Sequence, residues 1–268
     1  MLHRLYSTLW GRCLLKIFTA PAFSKLAGAF LSTYASKLLI SPFIKKNSIN
    51  MNDYKVENWA SFNEFFTRSL RVGAREPDMS PNALIAPCDG YLTVYNITPY
   101  STFEIKNTLY TVNDLLGNER LAREYDEGQC LVFRLTPSDY HRYIYPDSGA
   151  KSKNIKMSGV LHTVRPIALE SSPVFKTNSR EYTVLHTNNF DEIVFMEVGA
   201  MLVGKISNYH EDYNFRRGEE KGRFEFGGST IIMLIKKNVA LIDTSIKEES
   251  NNGIECKVQL GQRIGVRI

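Results

Sequence analysis

Apolar positions recur along this chain with two different periods. Near the start, Leu2, Leu5, Leu9, Cys13 and Ile17 form a stripe at helical spacing, flanked by Trp10, Phe18, Arg4, Arg12 and Lys16. Pro21 suits a first helical turn, with Thr19 or Ala20 before it. Phe23, Leu26, Ala27, Phe30, Leu31, Tyr34 and Leu38 then repeat at three- and four-residue spacing, with Lys25 on the other side. Beyond residue 57 the apolar runs become short and rich in Val, Ile, Tyr and Phe, with Gly, Pro, Asn and Asp between them. Strands are predicted at Tyr91–Ile97, Cys130–Leu135, His141–Tyr145, Val160–Val164, Tyr182–His186, Ile193–Val198, Met201–Ile206, Thr230–Ile235, Val239–Ile242 and Glu255–Val258. Ser61-Phe-Asn-Glu64 and Thr111-Val-Asn-Asp114 are capping-box patterns that start two short helices, the second stopped by Gly117, with a further turn or two over Asn118–Tyr125. The prediction is an α+β fold: a mainly antiparallel β body over 58–268 behind an α-helical N-terminal part over 1–57. Alternating βα units and internal repeats are absent from the pattern.

Charge separates the same two parts. Residues 1–52 carry seven Lys/Arg and no Asp or Glu, leaving 26 basic against 28 acidic residues in the rest of the 268. The basic excess belongs to the N-terminus alone, which argues against a nucleic-acid-binding protein. Basic, aromatic-bearing amphipathic helices suit a membrane interface, with apolar side chains in the acyl region and cations over anionic headgroups. The competing assignment packs both stripes on the body or on a second copy in a homodimer. Sequence alone weighs the two about evenly; Tyr6, Trp10 and the missing acids favour the membrane. No apolar run reaches the ~18–20 residues of a transmembrane helix, because Lys16, Lys25 and Lys37 interrupt each candidate. The expectation is a membrane-associating N-terminal part and a peripheral protein on the cytoplasmic face of the cell membrane. An acid-free, Arg-containing start also resembles a transit peptide, which would place it at the mitochondrial inner membrane. Four scattered cysteines suggest neither a disulfide framework nor a zinc site.

Chemistry concentrates at Gly222-Arg-Phe-Glu-Phe-Gly-Gly-Ser-Thr230. Gly227 and Gly228 give the backbone conformations closed to other residues, directly before the hydroxyl of Ser229. Such a serine is placed to attack the Gly228 carbonyl and cut its own chain, although two glycines and a serine are more often just a turn. A phosphate-binding loop is rejected, since Gly228 stands where it needs Lys and a strand follows where it needs a helix. No GxSxG elbow frames the serine, and the five histidines form no metal-site pattern, so no metal is expected.

Three more segments accompany this turn in order: Phe65-Phe-Thr-Arg-Ser-Leu-Arg-Val-Gly-Ala-Arg75, Ala86-Pro-Cys-Asp-Gly90 and Leu135-Thr-Pro-Ser-Asp-Tyr-His-Arg142. Together with Val198–Gly204 and Gly261–Gly265, they make the chain resemble the phosphatidylserine decarboxylases from about Asn58 onward. The resemblance implies a decarboxylase domain over 58–268 that cleaves itself between Gly228 and Ser229, into a β chain of 1–228 and an α chain of 229–268. Ser229 would become a covalent pyruvoyl cofactor, and phosphatidylserine would be converted to phosphatidylethanolamine. The implied partners are the phospholipid, the membrane surface and the protein's own two cleaved chains. By the same resemblance Asp89, His141 and Ser229 are the catalytic residues; Asp139, Thr230 and His162, the last with no family motif behind it, are auxiliary candidates.

One position departs from the family. Relatives carry a second histidine where this chain has Ile144. Either His141 serves both cleavage and decarboxylation, or Asp89 or Asp139 acts as the base, or His162 substitutes. Two rival functions stay open at this point. A non-catalytic lipid-binding relative would bind vesicles without cleavage, and a serine hydrolase would use Ser229, His141 and Asp89 in an intact chain. Arg68, Arg71 and Arg75 are expected on a solvated rim, with anion binding as the less favoured alternative.

Overall fold

The computed structural model describes residues 21–105, 108–162, 174–200, 205–225 and 229–268. The first strands are β1 (Ala83–Ile85), β2 (Gly90–Asn96), the hairpin β3 (Thr102–Ile105) and β4 (Thr108–Thr111), β5 (Gln129–Leu135) and β6 (Arg142–Ile144). β7 (Gly149–Lys151), β8 (Ile155–Met157), β9 (Arg180–Thr187), β10 (Glu192–Gly199), β11 (Ile206–Asn208) and β12 (Tyr213–Phe215) follow. β13 (Glu220–Phe224), β14 (Ser229–Ile235), β15 (Ala240–Ile242), β16 (Cys256–Val258) and β17 (Arg263–Arg267) complete the set. Nine of them form one sheet in the order β12-β7-β9-β10-β14-β5-β2-β16, with β8 on β9, and the pairs are antiparallel as expected.

β14 sits in the middle of that sheet and is covered on both faces, so its sequence is a continuous apolar run with no alternation of polar residues. Ile231, Met233 and Ile235 enter a core shared with β6, β13, β15 and β17 on one side. Ile232 and Leu234 enter a second core with the β3–β4 hairpin and the short helices α4 (Val112–Leu116), α5 (Glu119–Arg123) and α6 (Val174–Thr177) on the other. The Thr111–Asp114 capping box is present in full, and Gly117 ends α4 in the left-handed region at φ 61°. At Ser61 only the serine half forms: Glu64 caps the amide of Ala60 instead.

The helical part comprises α1 (Pro21–Leu31), a 3-10 turn at Tyr34–Leu39, α2 (Ile40–Asn47) and α3 (Phe62–Phe66). It buries Leu31, Ile40, Ile49, Phe62, Phe65 and Phe66 against Ile85, Tyr140, Ile144 and Leu260 of the body. The predicted stripe after Pro21 is only partly used in this packing. Leu26, Phe30, Tyr34 and Leu38 are 72%, 54%, 75% and 83% exposed, forming an unpaired apolar edge beside Lys25 and Lys37. The stripe before Pro21 lies outside the described residues. No helix among the described residues is long and apolar enough to cross a membrane.

The largest element missed from sequence is α7 (Thr244–Asn251), whose polar stretch buries only Ile246. Three-residue strands such as β7, β8 and β12 were also missed, being too short to show a period. Of the predicted Val160–Val164 strand only a bridge at Val160 forms, and residues 163–164 are outside the described set, as are 201–204 of Met201–Ile206.

Candidate active site

Ser229 opens β14, opposite Leu135 of β5 on one side and Gly199 of β10 on the other. Leu135 in turn lies beside Gly90 of β2, where an added Cβ would sit 2.9 Å from the Arg134 carbonyl oxygen. That close approach requires glycine and brings the residue before it, Asp89, to the same end of the sheet. The row Gly90–Leu135–Ser229–Gly199 therefore gathers residues of four sequence segments named above that are separate in the chain. Gly228 and its peptide bond to Ser229 lie outside the described residues.

The Ser229 hydroxyl is fully buried and has no hydrogen-bond partner among the described residues. Thr230 Oγ1 is likewise buried and unpartnered, but alternation along β14 sends it to the opposite face. Leaving a buried hydroxyl unpaired costs about 1–3 kcal/mol, so the site retains Ser229 at a cost to folding.

His141 follows the turn after β5. Its ring is fully buried, with the Phe66 ring centroid 4.0 Å away. Nδ1 lies 2.9 Å from the Asp139 carbonyl oxygen, which only accepts, so Nδ1 carries the proton. Nε2 then holds a lone pair and has no partner. Burial, helped by the Arg68 charge and opposed by Asp139, pushes the imidazole down to about 3. The result is a neutral base fixed in one tautomer. Its carbonyl accepts the Phe224 amide at 2.9 Å, tying it to the strand that leads to Gly228.

Asp139 positions that histidine through its backbone. Its carboxylate accepts from Thr136 N (2.6 Å), from Thr136 Oγ1 (2.7 Å) and from Lys257 Nζ. The Asp89 carboxylate is held by Arg75, Nε to Oδ1 at 3.1 Å and Nη2 to Oδ2 at 2.8 Å, and by the Leu260 amide at 2.8 Å. His162 is anchored on the other flank: Asn178 Nδ2 donates to its carbonyl at 2.8 Å and to that of Gly199, the residue facing Ser229, at 2.7 Å. Burial lowers the His162 imidazole as well. Among the described residues no hydrogen bond joins Asp89, His141 and Ser229 to one another.

Ile144 is buried in the apolar cluster that contains Phe66, the ring against His141. The residue in the place of the second histidine thus packs the floor on which the first one rests. The expectation of a solvated arginine rim is overturned for two of its three members. Arg68 is 1% exposed, Arg75 is paired with Asp89, and only Arg71 lies in solvent. Arg75 and Asn178 were not identified from sequence, because their partners lie 14 and 21 residues away with no motif linking them. No cluster of three His, Cys, Asp or Glu of metal-site type occurs among the described residues.

The low value of His141 has a testable consequence. An ordinary histidine base loses activity below about pH 6.5 as it takes up a proton. His141 stays neutral there, so self-cleavage is expected to hold its rate from roughly pH 8 down to roughly pH 5. Stability moves the other way: between about 6.5 and about 3 the unfolded chain binds a proton that the folded chain refuses, so stability falls with pH across that window. Cleavage rates of freshly made chain and urea melts at matched pH check both; a tenfold loss of rate per unit below 6.5 would contradict the assignment.

The antiparallel body holds a buried serine hydroxyl at the start of β14 and a buried neutral imidazole after β5, side chains suited to enzyme chemistry. The phosphatidylserine decarboxylase family model matches residues 62–266, and the chain belongs to that family. Its curated relatives include phosphatidylserine decarboxylase proenzyme 2 of Clostridium acetobutylicum, 45% identical over 97% of this chain and 90% of its own length. The proenzymes of Clostridium botulinum (42%, 98% and 91%) and Ruminiclostridium cellulolyticum (41%, 99% and 90%) are similar along the same span.

Proposed function

We propose that this chain is a proenzyme that cuts itself at Gly228–Ser229, turns Ser229 into a pyruvoyl group and decarboxylates phosphatidylserine to phosphatidylethanolamine. The observation that carries this is a pair of buried atoms with no partner among the described residues, Ser229 Oγ at the start of β14 and His141 Nε2 after the turn that follows β5. An orphaned hydroxyl beginning a strand is suited to become a backbone-linked carbonyl, which has no donor to satisfy.

In cleavage, His141 Nε2 accepts the Ser229 hydroxyl proton while the oxygen attacks the Gly228 carbonyl and the peptide shifts to an ester. Loss of the Ser229 α-proton then eliminates the ester, freeing the Gly228 carboxylate and leaving a dehydroalanine at 229 that tautomerises and is hydrolysed by water to the pyruvoyl group and ammonia. The pyruvoyl group, once formed, supplies an electrophilic carbonyl and an electron sink for the departing carboxylate. His141 serves both stages in this account, since Ile144 has no proton to move, and in the second stage its Nε2 takes a proton from the substrate ammonium and passes it to the product carbon. Asp89 and Asp139 hold charge and orientation around it, and His162 and Thr230 remain auxiliary.

Residues 1–57 act as the membrane-associating part and 58–268 as the decarboxylase domain. The bare edge of Leu26, Phe30, Tyr34 and Leu38 beside lysines supports docking on an anionic bilayer. The similar proteins come from bacteria, which favours the cytoplasmic face of the cell membrane over the mitochondrial inner membrane. Paired Phe30→Asp and Leu38→Asp changes should weaken binding to phosphatidylserine-containing vesicles at least tenfold, since each buried apolar side chain contributes about 1.5–3 kcal/mol. Co-sedimentation measures this, and unchanged binding would remove those helices from the docking surface.

Intact-mass spectrometry of purified protein tests the whole proposal. Two fragments and conversion of phosphatidylserine are expected. A single 30.6 kDa chain that binds vesicles without reaction would make it a lipid-binding relative, and fluorophosphonate labelling of Ser229 in an intact chain would make it a hydrolase.

A further inference from the structure

Among the described residues, five arginines have buried or half-buried guanidiniums with well-defined partners; Arg68 and the half-buried Arg223 do not, and of these two Arg68 is the one sealed from water. Arg75, Arg134, Arg142 and Arg217 each pair with a carboxylate, at 2.8, 2.5, 3.0 and 2.7 Å. Arg180 has no carboxylate but donates to four carbonyls at 2.8–3.2 Å, the arrangement of a guanidinium that serves structure. Arg68 is as buried as any of them, yet it meets only the carbonyls of Phe65, Phe66, Ser138 and Asp139, at 3.5, 3.5, 3.3 and 3.4 Å. Those lengths lie at the outer limit of a hydrogen bond, and Arg68 Nε has no partner. The guanidinium rests 4.0 Å over the Tyr54 ring, which fixes its plane and does not neutralise its charge. A buried cation is costly unless an anion accompanies it.

The position supplies the anion's identity. Asp139 O accepts from both Arg68 Nη2 and His141 Nδ1, so the guanidinium lies alongside the imidazole. Arg68 follows directly on α3, which packs against α1 and the 3-10 turn that carry the exposed apolar edge. Resting on the decarboxylase function proposed above, we infer that Arg68 is the binding residue for the phosphodiester of the substrate headgroup. The substrate's carboxylate is the poorer ligand. An arginine on a group that leaves as neutral carbon dioxide would stabilise the ground state over the transition state and slow the reaction. The phosphodiester keeps its charge throughout.

The test compares two substrates with purified cleaved enzyme and its Arg68→Met variant: glycerophosphoserine, which has the phosphodiester, and O-methylserine, which keeps the free amine and free carboxylate without phosphate. The ratio of their kcat/KM values should fall roughly 100-fold in the variant, chiefly through KM for glycerophosphoserine. If Arg68→Met does not accumulate, Arg68→Lys, which keeps the charge without the fork, should lower the ratio in the same direction by roughly tenfold. A variant that loses both activities in proportion, as a structural or carboxylate-binding arginine would, overturns the assignment. Wild-type enzyme inactive on phosphatidylserine itself would instead defeat the decarboxylase function, so the two failures are distinguishable.

Discussion

A Ser229→Ala chain is expected to remain one polypeptide of 30.6 kDa on a denaturing gel, with no decarboxylation and no reaction with hydrazine. Wild-type protein should give fragments 1–228 and 229–268, the shorter with a blocked end that hydrazine traps. The effect is all-or-none because alanine lacks the only atom that can attack the Gly228 carbonyl. The same change should not damage the fold. Ser229 Oγ makes no hydrogen bond, so its removal deletes none and relieves a buried unsatisfied group. The uncut variant should therefore be as stable as the uncut wild type or up to about 1–3 kcal/mol more so. Mass spectrometry and urea denaturation check the two halves. A Ser229→Ala chain that is still cut at this bond would defeat the mechanism outright.

Lys221→Met should be the most destabilising single change in the core. Lys221 Nζ bonds Glu197 Oε1 and also Asn208 Oδ1, and both charged side chains are sealed from water. Glu197 Oε2 has no partner, and burial already raises its carboxyl above the usual range against the pull of Lys221. Removing the lysine strands a carboxylate in the core at a cost of about 3–5 kcal/mol. For a chain of this size that lowers Tm by roughly 10 °C. The double variant Lys221→Met with Glu197→Leu should recover most of the loss, because an apolar pair avoids the desolvation of two charges. Thermal melts in the Ser229→Ala background, where one covalent chain unfolds, decide it. A Lys221→Met melt within a degree or two of its parent would show that the pair contributes little.

What could be read in the sequence follows from how local each feature is. β14 was visible because a strand covered on both faces writes an unbroken apolar run after two glycines. The capping box at Thr111 was visible because its partners lie three residues apart. Arg68 was misplaced because α3 ends at Phe66. The chain then turns under Tyr54, with the Lys55 amide on the Ser69 carbonyl and Tyr54 bridged to Leu70. A helical wheel continued past residue 66 points that side chain to solvent. The seating of Asp89 by Arg75 and Leu260, and of His141 by Phe66, depends on contacts across layers that no spacing encodes. Glu197 did leave a trace: a lone acid inside Ile193–Val198, a stretch otherwise wholly apolar.

The break proposed at Ser229 would fall at the edge of the fabric's most tightly woven thread. β14 is laced to β5 and β10 by seven residue pairs on each side, while β16 and β17 stitch the same short piece to β2 and β1. Severing one covalent link there would leave the seam closed. The forty-residue remnant would not drift away until the whole cloth unravels, and the freshly made electrophile would stay where the intact polymer had set it.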